Sequence, residues 1–174
     1  MELLNLLREE AQLKAYIRER CEDAGICIDI DEAIEKEHIV IIKVDDYYND
    51  LHLKTTPPSV DCLIVQYCKA KNSYKVYLVE LKNVKNSQKQ NINRNNLTEK
   101  FRTTLLDFIS DRFRKPFDDF EFKTNLVLYA AKVTDQHIKS FSLDFLSGLP
   151  MIKFRGKLLI INGTKPPKSM ITKC

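Results

Sequence analysis

The sequence predicts one mixed α/β (α+β) domain, and three observations carry that expectation. Its 174 residues are about one domain's worth and enough to bury a core. Apolar positions follow helical spacing, then strand spacing, in the order helix, three strand-like runs, helix, strand. No repeat, low-complexity tract or linker divides residues 1–174, so the core (about 2–131) and a C-terminal extension (132–174) belong to one domain.

The opening segment reads as a helix over about 2–23, because Leu3, Leu6, Leu7, Leu13 and Ile17 recur at three- and four-residue steps and Gly25 follows. Strand-like runs come next at 26–30, 38–44, 60–68 and 74–82. The polar stretch 86–96 reads as a loop. A second helix is predicted over about 97–114, with Asn96 and Glu99 as a capping box and Leu97, Phe101, Leu105, Phe108 and Ile109 as its apolar stripe. A buried strand at 124–131 and a short helix around 134–147 follow. A final stretch, 151–162, suits a hairpin turning at Arg155-Gly156.

Charged residues at 30% and an apolar fraction of 44% exclude a disordered chain. No apolar run approaches the roughly 18 residues of a membrane span. The first ten residues turn acidic at once, unlike a secretory leader. Five scattered cysteines, with Cys21/Cys27 and Cys62/Cys68 each six apart, do not match zinc spacing; they are expected to be reduced, buried thiols in a cytoplasmic protein. With four glycines there is no phosphate-cradling loop or dinucleotide fingerprint.

The net charge of +4 is unevenly spread. Residues 1–66 carry 7 Lys/Arg against 15 Asp/Glu, residues 67–103 carry 9 against 2, and residues 150–174 carry 6 against none. Such blocks point to an acidic surface and to surfaces that face a polyanion.

Chemistry concentrates in KVYLVELKN (75–83). Side chains alternate along a strand, so Glu80 and Lys82 fall on the face of Val76 and Leu78. The run 60–68 precedes it across AKNS (70–73), which suits an antiparallel hairpin. Asp61 then lies opposite Glu80, or opposite Lys82 if the turn slips by one residue. Two facing carboxylates are unfavourable unless a cation sits between them, and Mg²⁺ takes one or two carboxylates plus water and phosphate oxygens. A neighbouring lysine can assist the attacking water or offset charge on phosphate. The plainer alternative is a strand end in water, with Lys82 pairing an acid.

PSVDCLIV (58–65) followed by VYLVELK (76–82) resembles the PD-(D/E)xK nuclease superfamily, whose restriction-endonuclease-like core has the order helix, three antiparallel strands, helix, strand. The likeness covers residues 2–131, although Ser59 and Val60 separate Pro58 from Asp61. It implies a metal-dependent endonuclease cleaving phosphodiester bonds, DNA before RNA, and leaving a 5′-phosphate. Catalysis would fall to Asp61, Glu80 and Lys82. The metal, Mg²⁺ or Mn²⁺, would be held by Asp61, Glu80 and the main-chain carbonyl of Leu81. Relatives bring a further acid from the first helix, and Glu10 projects near Leu3, Ile17 and Cys21; an ordinary Glu10–Lys14 pair is the alternative. Lys85, Lys89, Arg94, Lys100 and Arg102 suit a phosphate backbone. Asp45 and Asp46 are further acids that could approach the site, and the reading preferred for them is as caps of a surface loop. The expected partners are nucleic acid and, if both strands are cut, a second copy in a homodimer, with no membrane. The rival reading is an inactive nucleic-acid-binding or assembly module that retains the nuclease fold.

Overall fold

The computed structural model of the chain describes residues 1–84, 93–118, 126–133, 146, 148–164 and 170–174. Helix α1 (Glu2–Glu9) buries Leu3, Leu4 and Leu7, and the chain becomes extended at Glu10. The predicted helix over 2–23 is therefore cut short. A 3-10 turn (Lys14–Tyr16) leads into strand β1 (Ile17–Arg18), which pairs antiparallel with residues 41 and 42. Its backbone groups find partners on a sheet edge, a tertiary demand that overrides the weak helical spacing between Leu7 and Leu13. Arg8 ties the end of α1 down by donating to the carbonyls of Lys36, Glu37 and Ile39.

Strands β2 (Glu22–Asp23) and β3 (Ile26–Cys27) form a small hairpin whose turn, Ala24-Gly25, has both φ angles positive. After β4 (Asp29–Ile30) come β5 (Ile39–Lys43), helix α2 (Val44–Asp50), β6 (Cys62–Cys68) and the long β7 (Ser73–Val84). Helix α3 (Arg94–Thr103) runs into a π-helical segment (Thr104–Arg112) and then α4 (Arg114–Asp118). The cap of α3 is Asn93, whose side chain accepts the Asn96 N–H at 3.0 Å, three residues before the predicted cap at Asn96. Strand β8 (Leu126–Val133) follows, then β9 (Ile152–Phe154), β10 (Lys157–Leu159), β11 (Ile161–Thr164) and β12 (Met170–Ile171). The β9–β10 hairpin turns at Arg155-Gly156 as expected, with both residues at positive φ.

The main sheet has the order β1-β5-β6-β7-β8-β11: antiparallel from β1 to β7, parallel from β7 to β11. Parallel neighbours need a crossover, and the segment containing α3 and α4 makes it between β7 and β8. Both faces of the sheet are covered, which is why its strands read as near-continuous apolar runs. On one face Val40, Ile42, Leu63, Val65, Val76 and Leu78 join α1 leucines, Phe101, Leu105 and Phe108 in one core. On the other, Ile41, Cys62, Ile64, Tyr77, Val79 and Leu81 pack with Cys21, Ile26, Ile28 and Ile171. Among the described residues no helix is long and apolar enough to cross a membrane.

The cysteines overturn one expectation. Cys21–Cys62 and Cys68–Cys174 are disulfides, spanning 41 and 106 residues, and Cys27 is free. Disulfides persist in oxidising surroundings, so the reduced thiols and cytoplasmic location expected from cysteine spacing are corrected to an oxidising, non-cytoplasmic environment. The sheet brings these pairs together across its own width and to the chain end, which spacing along the sequence does not encode.

Candidate metal centre

The hairpin register is Cys62↔Val79 and Leu63↔Leu78, so Asp61, one residue before β6, adjoins Glu80 on the face of Leu63 and Leu78. The slipped register with Lys82 is excluded. Two further contacts hold Asp61: its carbonyl accepts the Val44 N–H at 3.1 Å, and its Oδ2 accepts the Leu81 N–H at 2.6 Å. Asp61 is 4% exposed and Glu80 0%, so the strand end that sequence could have left in water is buried.

Burial and the adjacent Glu80 carboxylate push the Asp61 carboxyl up to about 7, with Asp45 adding to the rise and the Leu81 N–H and Lys100 opposing it. Glu80 Oε1 accepts two ammonium groups, Lys82 Nζ at 2.6 Å and Lys100 Nζ at 2.7 Å. Glu80 Oε2 is buried and has no hydrogen-bond partner among the described residues. Burial would lower the Lys82 ammonium, but Glu80, Asp61 and Asp23 more than offset it, so the group is held above its ordinary value. The Lys82 side chain is 40% exposed and that of Lys100 19%, so the first opens toward solvent and the second points inward.

Asp45, expected to cap a surface loop, instead stands in the first turn of α2 near Asp61. Burial raises its carboxyl and Lys43 partly offsets this. Lys43 Nζ lies 3.2 Å from the buried Asp45 Oδ1, an ion pair off hydrogen-bond geometry, so this oxygen too is left without a hydrogen bond. One signal was available in sequence: the residue follows Val44 directly at the end of an apolar strand.

The other candidates divide. Lys100, expected on phosphate, lies at Glu80. Thr104 Oγ1 donates to the Lys100 carbonyl at 2.9 Å and accepts the Val60 N–H at 3.2 Å, clamping α3 to the residue before Asp61. Its helical position beside Leu97, Phe101 and Thr104 is the missed signal, since all three are buried. Arg94 stands at the exposed start of α3, with its guanidinium against Gly148. Arg102 pairs with Glu99 at 2.9 Å. Lys85 and Lys89 lie outside the described residues. Glu10 sits at the end of α1, where its Oε1 accepts the Gln12 N–H at 3.4 Å; the structure does not bring it to the acid pair.

Among the described residues, Glu35, Glu37 and His38 are the three possible ligands whose donor atoms come within 4.8 Å of one another. Asp45, Asp61 and Glu80 do not converge that closely, so any ion at the hairpin rests on two carboxylates and on oxygens from elsewhere. Comparison with known proteins adds nothing to this geometry: no family model, no curated protein and no solved structure matches the chain.

Proposed function

We propose that the chain is a metal-dependent endonuclease that hydrolyses phosphodiester bonds, in DNA before RNA, on a restriction-endonuclease-like core of the PD-(D/E)xK type. The observation that carries the reading is Glu80 Oε2, a fully buried carboxylate oxygen with no hydrogen-bond partner beside a second buried carboxylate. A buried acceptor without a partner is costly, and hard oxygen donors of this kind suit Mg²⁺ or Mn²⁺. Asp61, Glu80 and the Leu81 carbonyl would hold the ion. When bound, it would engage the open Glu80 Oε2 and supply Lewis-acid chemistry to the phosphoryl group.

The side chains of the chain itself divide the remaining work. The Leu81 N–H fixes the Asp61 carboxylate. Lys100 holds Glu80 from the buried side and is itself held through Thr104. Lys82, anchored on Glu80 and open to solvent, would orient the attacking water and offset charge gathering on the phosphate. Arg94 and Arg102 would hold the backbone, the role that the sequence also suits to Lys85 and Lys89.

A second reading is favoured by Glu80 Oε1, which two ammonium groups already neutralise. Such a network can stabilise a non-catalytic nucleic-acid-binding or assembly module without any ion. One experiment separates the two. Purified protein is incubated with plasmid, single-stranded DNA and RNA, each with Mg²⁺, Mn²⁺ or EDTA. Cleavage that needs the cation and disappears in Glu80→Gln supports the nuclease. Binding without cleavage under every condition supports the module.

A further inference from the structure

Glu80 is unusual in carrying two lysines on one oxygen. Lys82 comes from its own strand and Lys100 from α3, at 2.6 and 2.7 Å. Lys100 is not a loose surface cation. Leu97 and Phe101, on either side of it in the helix, are buried, and its carbonyl is bonded to Thr104, which also receives the Val60 N–H. The helix that presents Lys100 is thus fastened to the segment leading into β6 that presents Asp61.

A charge count follows. At pH 8, above the Asp61 titration, Asp61 and Glu80 bring two negative charges, and Lys82 and Lys100 bring two positive ones, so these four groups are neutral together with no ion present. Adding a divalent cation to a largely buried neutral cluster leaves two positive charges uncompensated, which is unfavourable. A phosphodiester carries one negative charge and supplies oxygen ligands as well. Resting on the nuclease reading, we propose that Lys100 is a built-in counter-ion of the Asp61–Glu80 pair, so that a divalent cation and a nucleic-acid phosphate load together and neither loads well alone. Loading by either raises affinity for the other by the same factor, as linkage requires. The acid pair alone is kept quiet by its lysines; the substrate completes the site.

The test is calorimetric titration of Ca²⁺ at pH 8 into the parent, Lys100→Met and Lys100→Arg, each with and without a short DNA duplex. The parent should bind Ca²⁺ about tenfold more tightly when duplex is present. Lys100→Met should bind Ca²⁺ alone about tenfold more tightly than the parent, and duplex should then add less than about threefold. Lys100→Arg keeps the charge and should behave as the parent. Should Lys100→Met fail to fold, Lys100→Gln removes the same charge and carries the same expectation. A neutral variant with the parent's Ca²⁺ affinity and the parent's gain from duplex overturns the inference while leaving the nuclease reading standing. So does a parent that binds Ca²⁺ equally well with and without duplex. A parent that binds no Ca²⁺ even with duplex overturns both.

Discussion

The two ends of β6 each bury a polar side chain, and they treat it in opposite ways. At the far end Gln66 is 1% exposed, yet its Oε1 accepts the Tyr77 hydroxyl at 3.0 Å and its Nε2 donates to the Thr172 carbonyl at 3.0 Å. At the near end Asp61 abuts Glu80, and Glu80 Oε2 has no hydrogen-bond partner. The difference separates structure from function. A satisfied buried amide fastens the C-terminal segment, which Cys68–Cys174 also ties to β6. A buried carboxylate pair that the fold does not satisfy by itself is stored cost, and a ligand can release it.

The largest effect that bears on this contrast is on cleavage. Lys82→Ala should lower the rate by about 10²- to 10⁴-fold. It should also cost about 1–3 kcal/mol of stability, because Lys82 is one of the two ammonium groups on the buried Glu80 carboxylate, while Lys100 remains to hold that carboxylate and keep the fold. Plasmid cleavage and thermal melting measured side by side check both halves. Equal rates in variant and parent would make Lys82 only a structural counter-ion of Glu80.

Gln66→Ala should affect stability alone. It leaves the Tyr77 hydroxyl and the Thr172 carbonyl without partners and should cost about 1–3 kcal/mol of stability with cleavage unchanged below its lower Tm. Cleavage lost in proportion to stability would show that the two ends do not act independently.

The third effect is pH-dependent, and its sign follows from Asp61. Its folded carboxyl lies near 7 and its unfolded value near 3.9, so the native state retains a proton that the unfolded chain releases. This group's contribution is therefore favourable at low pH, is lost as pH rises through about 4 to 7, and stays lost above. Asp61→Asn should stabilise the protein at pH 8 without metal by about 1–3 kcal/mol, seen as a higher Tm, and make little difference near pH 4. A Tm of the parent that does not fall across this range relative to Asp61→Asn would contradict the strained pair.

The smallest effect is at the surface. Arg102 is exposed and pairs with Glu99, an interaction worth only about 0.2–1 kcal/mol. Arg102→Ala should barely move the Tm but should flatten the log–log salt slope of duplex binding by about one unit if it touches a phosphate. An unchanged slope would move the backbone contacts elsewhere on the basic segments.

Legibility in sequence followed the same divide. Alternation along 60–68 and 74–82 brought Asp61 to either Glu80 or Lys82, because both faces of that hairpin are apolar and a shifted turn keeps each side chain on its face; the pairing of Cys62 with Val79 decides for Glu80. The end of α1 was not legible, since pairing of Ile17 and Arg18 with β5 decides it. The disulfides were not legible either, because β6 must first meet the segment at Cys21 and the chain end at Cys174. Lys100 and Asp45 were legible only through their neighbours, Leu97, Phe101 and Thr104 along the helix and the apolar strand that runs into Val44, because a charged residue does not by itself reveal which way its turn faces.

The most direct measurement is Mn²⁺ binding by electron paramagnetic resonance at pH 8, with a DNA duplex present, for the parent, Glu80→Gln and a Glu35→Gln/Glu37→Gln double variant. If the buried acid pair holds the ion, the parent binds Mn²⁺, Glu80→Gln loses it, and the double variant keeps it. If Glu80→Gln binds as the parent does and the double variant does not, the ion belongs to the exposed turn at Glu35, Glu37 and His38, and the buried pair is no metal centre.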